Sequence, residues 1–416
     1  MRVKEPLRLL VLAPFAPRLD APHGGGRSIA QLVTELGLRH RVALLALRPE
    51  GDPQTDEHVR DRCELVEEFP LPGAGSSMAS RWRRRARLLS GLARGRPMWV
   101  ADCSVPAFAR RVEELVRSWQ PDIVQAEFHV MGQYLAGLGA QEAARVVTQH
   151  EPGASAAAET WRAQRGLARS LARVDSLAWR RFEANLLNEV DATVVYTERD
   201  LRSLAQLAPS ARIVRISLGG LIGEPAPDGA VAEPGMLLFV GNFMHPPNVD
   251  AARRLVDQIV PRVLREAPTA RLYVVGDRGP EFLQHGDRPH VVVTGWVERV
   301  APYLARAAVV VTPIRTGGGQ RVKVIDALIA GKALVASPRA IEGFDLEDGR
   351  EVILAETDAE FANGIVRLLT DEAERVALGS RARAWAEANL GWEHTIGGYD
   401  ALYSELARGD RSRLPR

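Results

Sequence analysis

A glycine-rich turn formed by Gly317, Gly318 and Gly319 carries the strongest chemical signal in this chain. The apolar run 308–312 before it predicts a buried strand, and residues 321–330 after it predict a helix. Glycines directly before a helix allow backbone N–H groups to approach a ligand closely, and the helix N-terminus adds partial positive charge. The turn therefore predicts an anion site, and we expect the anion to be a diphosphate.

Three charged side chains beside this turn strengthen that interpretation. Arg321 and Lys323 lie in the predicted first helical turn, where the helix dipole disfavours cations, so they need another role. Lys323 is also one of only three lysines in the chain, which otherwise uses arginine. Asp326 follows one turn later among core-type residues and can accept hydrogen bonds from two vicinal hydroxyls, as on a ribose. The alternative interpretation is that the glycines only form a flexible loop.

A second glycine-rich loop lies near the N-terminus, where Gly24, Gly25, Gly26 and Arg27 stand between the first predicted strand and a helix. This loop is also compatible with anion binding. It does not match G-x-G-x-x-G, so a nicotinamide site is not expected, and no GK[ST] follows the glycines as in a P-loop. The alternative is a plain connecting loop.

Two histidines follow predicted strands and offer hydrogen-bonding groups. His150, with Glu151, stands at a strand end, where a histidine can exchange hydrogen bonds with a sugar hydroxyl or a phosphate oxygen. A structural role is the alternative for His150, and His129 is a weaker second candidate. The nine histidines show no metal-ligand spacing and no Asp-x-Asp is present, so we expect no bound metal.

The composition is that of a globular protein with two domains. The chain has 416 residues, of which 46% are hydrophobic and 25% charged. A net charge of +2 gives no reason to expect nucleic acid as a partner. The arginine, alanine and glycine content suggests a GC-rich bacterial genome. The two cysteines fit a reducing compartment, and no signal peptide or membrane-spanning run is visible, so we expect a cytoplasmic protein.

Short apolar segments alternate with helical ones along the whole chain, which is the α/β pattern. Their continuous Val, Ile and Leu character predicts parallel sheets covered on both faces. We predict two Rossmann-like domains, 1–218 and 236–390, which face each other across a cleft. A Gly- and Pro-rich linker, 219–235, joins them, and a C-terminal helix within 391–416 packs back on the first domain. The predicted strands cover 7–12, 42–47, 123–126, 146–149, 193–196, 213–216, 236–240, 272–275, 291–294, 309–312, 334–336 and 352–354.

A basic stretch runs from Arg81 to Arg96 and contains seven arginines, Trp82 and three leucines. A solvated helix face is one interpretation. The other is peripheral contact with an anionic membrane, where each arginine near the surface contributes about 1 kcal/mol.

Taken together, these motifs resemble glycosyltransferase family four, whose enzymes have the GT-B fold of two Rossmann-like domains. The resemblance is strongest over 239–344. There, I-D-A-L-I-A-G-K-A-L-V matches the second half of the family's E-G-F-G-L-P-x-L-E-A-M-A-x-G-x-P-V-V, with Asp326 at the second glutamate, which binds the ribose. The family's first glutamate falls at Gly318. The segment 317–323 resembles a branch with G-G-G-T-R-L-K, with Gln320 in place of the threonine.

Further positions carry the resemblance into the rest of the chain. Gly241 and Asn242 lie in a segment resembling the start of the family's second domain, where this chain has Asn242 and Asn248 instead of the common Arg and Lys. Val297 ends the loop that usually holds the nucleobase. His150 matches a histidine beside the donor sugar, and the pair Gly25 and Gly26 matches the first-domain glycine loop.

The resemblance implies a retaining, metal-independent transfer of a sugar from a nucleotide-diphosphate sugar to an acceptor hydroxyl, with no cofactor. The residues it implicates are His150, Arg321 and Lys323 for catalysis, and Gly25, Gly26, Gly241, Asn242, Val297, Gly317, Gly318, Gly319, Gln320 and Asp326 for the donor. The acceptor is expected to be a lipid-linked glycan or a small natural product. The alternatives are a nucleotide-sugar 2-epimerase of the same fold and a non-catalytic donor-binding homologue.

Overall fold

Two parallel sheets dominate the computed structural model. It describes residues 5–21, 23–71, 78–139, 143–220, 232–277, 283 and 288–408. The strands of the first sheet are β1 (Arg8–Ala13), β2 (Arg41–Pro49), β3 (Leu65–Leu71), β4 (Ile123–Glu127), β5 (Ala144–Gln149), β6 (Ala192–Val195) and β7 (Ile213–Arg215). Their order is β3-β2-β1-β4-β5-β6-β7, with every pair parallel.

The second sheet repeats this plan with six strands. They are β8 (Met236–Val240), β9 (Arg271–Val275), β10 (Val291–Gly295), β11 (Val309–Thr312), β12 (Ala333–Ala336) and β13 (Ile353–Leu354). Their order is β10-β9-β8-β11-β12-β13, again parallel throughout. The α/β fold with two Rossmann-like sheets, predicted from the sequence, is confirmed.

Helices connect the strands and cover the sheets. Those of the first half are α1 (Gly24–Gly37), α2 (Glu57–Arg60), α3 (Met78–Ala93), α4 (Met98–Asp102), α5 (Pro106–Ser118), a 3₁₀ helix (His129–Tyr134), α6 (Gly153–Ala163), α7 (Gly166–Glu189) and α8 (Glu198–Leu207). Those of the second half are α9 (Pro246–Arg254), which continues through a π segment (Leu255–Ile259) into α10 (Val260–Val263), then α11 (Ala301–Arg306), α12 (Val322–Ile329), α13 (Asp358–Thr370), α14 (Glu372–Asn389) and α15 (Trp392–Ala407).

The strand order reverses direction at one place in each sheet, between β1 and β4 and between β8 and β11. Loops leaving the carboxyl ends of neighbouring strands diverge at such a switch point, so a crevice opens there. The loop that leads from β1 to α1 and the loop that leads from β11 to α12 both begin at these positions. The glycines of 317–319 therefore lie in the loop at one switch point. The glycines at 24–26 lie at the other, where they form the first turn of α1 and not the predicted loop before it.

Two details differ from the sequence-based expectation. The strand β3 was not predicted, because its sequence LVEEFPL breaks the apolar run with charges and a proline, as an edge strand allows. The helix predicted from residue 321 begins at Val322, so Arg321 is its N-cap and not part of its first turn.

The last helix, α15, packs on the first sheet, as predicted. The Asp400 carboxylate lies 2.8 Å from His40 Nε2, and the Thr395 hydroxyl donates to the carbonyl of Ser217 at 2.8 Å. The buried Tyr399 hydroxyl lies 3.3 Å from Thr148 Oγ1 of β5. The last described helix thus packs on the half of the molecule that contains β1. The predicted domain limits stay predictions, and most of the predicted linker, 221–231, lies outside the described residues.

Candidate functional site

The two switch points face each other across a narrow interface. Arg27 Nη2, in α1, lies 3.3 Å from Asp326 Oδ2, in α12. A Cβ atom placed on Gly24 would lie 2.8 Å from Cγ2 of Val322. The first-domain and second-domain glycine loops are therefore brought together, although almost 300 residues separate them in sequence.

Backbone amides of the second-domain glycine loop bind anionic oxygens. In order along the loop 317–319, the three N–H groups donate to Glu159 Oε2 at 2.6 Å, to Glu151 Oε1 at 2.6 Å and to Asp200 Oδ2 at 3.0 Å. All three carboxylates come from the first domain. A diphosphate that used the same donors would have to displace them, so the loop's role toward a phosphate stays a prediction.

Glycine is required at Gly319 for two reasons. Its φ of 70° lies in the left-handed region, and a Cβ atom there would overlap the carbonyl oxygen of His150. The close backbone approach between the two domains therefore depends on the missing side chain. At Gly318, where the resemblance places a lost glutamate, a Cβ atom would lie 3.0 Å from Cγ of Glu151.

Glu151 is the carboxylate most strongly held at this interface. Burial alone would favour its neutral form. The nearby His245 side chain, the charge of Arg321 and the Gly318 amide outweigh that effect and lower the pKa of Glu151 to about 2. Its Oε2 lies 3.7 Å from His245 Nε2. Glu151 is therefore a permanent negative charge at the mouth of the cleft.

Arg321 is folded against the loop that it follows. Its Nη2 donates to the carbonyl of Thr316 at 3.3 Å, and its Nη1 donates to the carbonyl of Gly318. Its Nε is buried and has no hydrogen-bond partner in the described part of the chain. Burial lowers the pKa of Arg321, with Glu151 the main opposing charge. The guanidinium fixes the shape of the loop and adds positive charge beneath it.

Lys323 lies deeper, at the first turn of α12. Its Nζ donates to Asn248 Oδ1 at 2.6 Å and stands 4.5 Å from the centre of the Phe239 ring. Burial and the charge of Arg321 lower its pKa to about 7, against the attraction of Asp326. This ammonium group is therefore close to its midpoint of ionisation at neutral pH.

The turn after β8 reaches Lys323 through two asparagines. Asn248 Nδ2 donates to the carbonyl of Asn242 at 2.8 Å, and Asn242 Oδ1 accepts from the Met244 amide at 2.9 Å. A Cβ atom on Gly241 would lie 3.1 Å from Asn248 Cβ. The structure thus brings Gly241, Asn242 and Asn248 next to Lys323. The ammonium group of Lys323 lies beside the two asparagines that stand where the family commonly has Arg and Lys.

Asp326 lies on the face of α12 that meets the first domain. Burial raises its pKa, while the charge and hydrogen bond of Arg27 and the charge of Lys323 oppose the shift. The carboxylate is paired across the interface with Arg27. A ribose would share this carboxylate with Arg27 or replace it.

On the first-domain side, His150 is held by aromatic rings and a carboxylate. Its Nε2 lies 2.8 Å from Glu127 Oε2, and its ring stacks on Phe128 with a centroid distance of 4.0 Å and an interplanar angle of 1°. The edge of the Tyr196 ring packs at 5.2 Å. Phe128 has a φ of 65°, a strained value for a bulky residue, so its orientation is imposed by this surrounding structure.

The first-domain glycine loop lies against the same aromatic group. A Cβ atom on Gly25 would lie 2.7 Å from the Phe128 ring, and the Gly26 amide donates to His23 Nδ1 at 3.0 Å. Burial, with repulsion from Arg27 and His150, lowers the pKa of His23 to about 4. Gly25 therefore lies against the ring that stacks on His150, and Gly26 lies against His23.

Two predicted donor-binding residues have structural contacts instead. Gln320 Oε1 accepts from the Leu218 amide at 2.7 Å and its Nε2 donates to the carbonyl of Gly343 at 2.9 Å. The side chain therefore joins the end of the first domain to the second. Val297 packs on the apolar core at the carboxyl end of β10.

His129 does not lie with His150. It is buried between the Trp99 and Trp179 rings, at centroid distances of 5.4 and 4.7 Å. Burial lowers its pKa to about 4, so it is a neutral core histidine.

Sequence reasoning did not select Glu127, Phe128, Glu159 or Asp200. Glu127 is the last residue of β4 and Phe128 follows it, so strand-end position alone was the available signal. Glu159 and Asp200 lie on helices whose sequences give no sign of an interface, and they meet amides more than 115 residues away.

The described residues contain neither a cluster of metal ligands nor a membrane-spanning helix. No three His, Cys, Asp or Glu side chains are grouped there so as to hold a metal ion. No helix in the same ranges has the length and apolar character that a membrane span needs.

Two models of protein families match the chain. The one described as Glycosyltransferase Family 4 matches residues 22–219, and the one described as Glycosyl transferases group 1 matches residues 234–371. Between them they take in most of the chain, including both glycine loops. No curated protein matches the chain in sequence.

Solved structures share the arrangement of both sheets. Sucrose-phosphate synthase from Thermosynechococcus elongatus is similar with a TM-score of 0.69 and 17% identity, over 96% of this chain and 99% of that one. HepE from Anabaena, in complex with UDP, has a TM-score of 0.63 and 13% identity, over 96% of this chain and 100% of that one. WaaG, a glycosyltransferase involved in lipopolysaccharide biosynthesis, has a TM-score of 0.63 and 15% identity, over 94% of this chain and 99% of that one. At these identities the likeness shows the fold.

Proposed function

Because this chain is a GT-B glycosyltransferase of the family 4 type, we propose that it transfers a sugar from a nucleotide-diphosphate sugar to an acceptor hydroxyl. The observation that carries this proposal is the pair of partly buried cations, Arg321 and Lys323, beside a glycine loop at the second-domain switch point. The resemblance to retaining, metal-independent enzymes supports the same features here. UDP in the complex of HepE supports a nucleotide donor.

The proposed mechanism uses charge stabilisation of the leaving group. As the sugar–phosphate bond breaks, negative charge grows on the diphosphate, and Arg321 and Lys323 neutralise it. The acceptor hydroxyl attacks from the face that the diphosphate leaves, while His150 positions the sugar. Closure of the two domains excludes water, which limits hydrolysis of the donor.

The rival functions predict different products. A 2-epimerase needs an acid and a base beside the sugar, but the two candidates are otherwise engaged, Glu151 with His245 and Asp326 with Arg27. A non-catalytic homologue would bind the donor without turnover. Slow release of nucleotide in the absence of an acceptor marks a transferase, and an epimerised nucleotide sugar marks the first rival.

A thermal-shift screen with nucleotides and nucleotide sugars tests the proposal. A ligand at 100 times its dissociation constant stabilises the folded state by about 2.7 kcal/mol. We expect one nucleotide family to raise the Tm of the wild type and of Lys332→Met, but not of Lys323→Met. Lys332 is the matched control, since its Nζ is bound to the Ala305 carbonyl at 2.6 Å, in a different part of the second domain. No shift with any nucleotide sugar would overturn the proposal.

We further propose that the acceptor is reached at an anionic membrane surface through α3. The side chain of Trp82 is exposed, while Arg84 and Arg87 are paired with Asp102 at 2.6 and 2.8 Å. The helix α7, which contacts α3, exposes Leu167 and Leu171 and so adds apolar surface next to the basic helix.

Co-sedimentation with anionic vesicles tests this contact. Electrostatic attraction is screened over about 8 Å at physiological salt, so binding should fall steeply between low and high ionic strength. No binding at low salt would favour a small natural product as the acceptor and leave the arginines as a solvated helix face.

A further inference from the structure

We propose that Glu127 is a positioning residue that fixes the His150 ring, and that the C-terminal helix α15 contributes to this through Gln125 and Tyr403. The inference deepens the proposed function, because His150 is the group expected to position the sugar. It assigns a role to a buried carboxylate that the proposed mechanism does not otherwise use.

A continuous chain of hydrogen bonds links α15 to His150. The Tyr403 hydroxyl donates to Gln125 Oε1, and Gln125 Nε2 donates to Glu127 Oε1 at 2.6 Å. The other carboxylate oxygen, Glu127 Oε2, lies 2.8 Å from His150 Nε2. Glu127 and Gln125 are both 0% exposed. Buried polar groups cost several kcal/mol when unpaired, so a fully connected chain of this kind strongly restricts each member.

The arrangement determines which nitrogen of His150 is available. In the arrangement that we propose, Glu127 accepts a hydrogen bond from Nε2–H of His150. Carboxylates commonly accept in this way from histidines whose other ring nitrogen binds a ligand. Nδ1 is then the nitrogen that can accept from, or donate to, a sugar or phosphate oxygen. The Phe128 stack and the Tyr196 edge hold the ring so that it does not turn.

This chain of hydrogen bonds also gives the C-terminal helix a function beyond covering the first sheet. Tyr403 lies on α15, 278 residues after Gln125 in sequence, and both are buried in the first domain. The helix therefore adds the terminal donor of a network that ends at the candidate site. Its hydroxyl keeps the Gln125 amide oriented with its N–H groups toward Glu127.

The test is Glu127→Gln. The glutamine has one carbonyl oxygen, so it cannot accept from both Gln125 and His150, and it presents an NH2 group to one of them. We expect the NH2 to face Nε2 and to favour the His150 tautomer protonated at Nδ1. In the ligand-free protein labelled with ¹⁵N-histidine, the His150 resonances, identified with His150→Asn, should change from the Nε2–H to the Nδ1–H pattern. Turnover should fall by about 10- to 100-fold with little change in the KM of the donor.

Tyr403→Phe tests the same chain from its far end and avoids a change in charge. We expect a mixture of the two tautomers and a loss of turnover smaller than that of Glu127→Gln. Tyr134→Phe is the matched control: its buried hydroxyl accepts from the Val105 amide at 2.9 Å, outside this chain, so the His150 spectrum should stay as in the wild type.

Wild-type His150 protonated at Nδ1 would overturn the proposal, and so would an unchanged tautomer in both Glu127→Gln and Tyr403→Phe. The spectra need no substrate, so they test the positioning role even if no donor is found. If the wild type neither binds nor turns over nucleotide sugars while the tautomer shift occurs, the proposed function fails and the positioning of His150 stands.

Discussion

Among single residues, Lys323 stands out because burial lowers the pKa of its ammonium group to about 7, which lies within the physiological pH range. A diphosphate beside it would favour the charged form and raise that pKa. Binding of a nucleoside diphosphate should therefore take up a proton above pH 7, and the Kd should increase by up to about tenfold per pH unit there. Calorimetry at pH 8 in buffers of different ionisation enthalpy measures the uptake. A Kd that is flat from pH 6 to 9 would contradict the assignment.

The same lysine should reduce the stability of the protein. Its pKa is about 7 in the folded state and 10.5 as the ordinary value, so between these pH values the unfolded chain binds more protons. The contribution of Lys323 to the free energy of unfolding therefore rises with pH in this window, and it is least favourable below pH 7. Lys323→Met should raise the Tm more at pH 6 than at pH 9, as calorimetric melting curves would show. An equal shift at both pH values would contradict this.

Substitution of either cation should be costly for catalysis. Arg321→Ala or Lys323→Ala should lower turnover by about two orders of magnitude, the scale of one lost charge contact in the transition state. Part of the effect of Arg321→Ala would come from the loop, whose Thr316 and Gly318 carbonyls lose their donor. Near-normal turnover of both variants in a donor-hydrolysis assay would remove these residues from the mechanism.

Asp326→Asn should weaken binding of a bare nucleoside diphosphate by about tenfold, the effect of one hydrogen bond to a charged group. The pairing with Arg27 means that the ribose competes with an arginine for this carboxylate. An unchanged calorimetric affinity would make Asp326 a structural residue at the domain interface.

At the level of secondary-structure elements, the predicted strands agree closely with the structure, because buried parallel strands are continuous apolar runs. The strand β11 has the predicted limits, Val309–Thr312, with all four residues buried. The edge strand β3 was missed because three of its seven positions carry charged residues or proline, which an edge tolerates. A continuous apolar run indicates a strand that is buried on both faces, and the sequence of β3 contains no such run.

The candidate site was predictable only where a residue belongs to a local motif. Lys323 and Asp326 stood out from their places on one short helix. The roles of Glu127 and Glu159 depend on partners that the fold brings from elsewhere in the sequence, which are His150 and the Gly317 amide. Nothing in the local sequence encodes those pairs.

The glycine loop as an element can be tested with one substitution and a matched control. Gly319 and Gly349 have φ values of 70° and 73°, but only Gly319 faces backbone of the other domain. Both alanine variants should lose about 1–2 kcal/mol from backbone strain, and Gly319→Ala should lose more because its Cβ would overlap the His150 carbonyl oxygen. Gly319→Ala should in addition lose most activity, because its Cβ would displace His150. Equal activity of the two variants would show that the close approach is not needed for turnover.

For the whole molecule, charge pairs cross the interface between the two domains. Arg339 Nη2 of the second domain lies 2.6 Å from Glu159 Oε1 of the first, and Arg199 Nη1 lies 3.6 Å from Glu342 Oε2. Glu159 also accepts from the Gly317 amide through its second oxygen. One carboxylate thus joins the second-domain glycine loop to an interdomain ion network.

This arrangement predicts that Glu159→Gln opens the molecule and favours ligand binding. Loss of the charge weakens the pairs with Arg339 and with the loop amide, so the radius of gyration from small-angle X-ray scattering should increase, as it should for the wild type in high salt. A nucleoside diphosphate should bind several-fold more tightly, because it no longer displaces a carboxylate or opens a closed cleft before it binds. Glu198→Gln is the matched control, since that exposed carboxylate pairs with Arg202 one turn along α8. If Glu159→Gln scatters as the wild type does and binds the nucleotide no better, other contacts hold the domains together, with the apolar packing of Val322 against the first-domain glycine loop as the nearest of them.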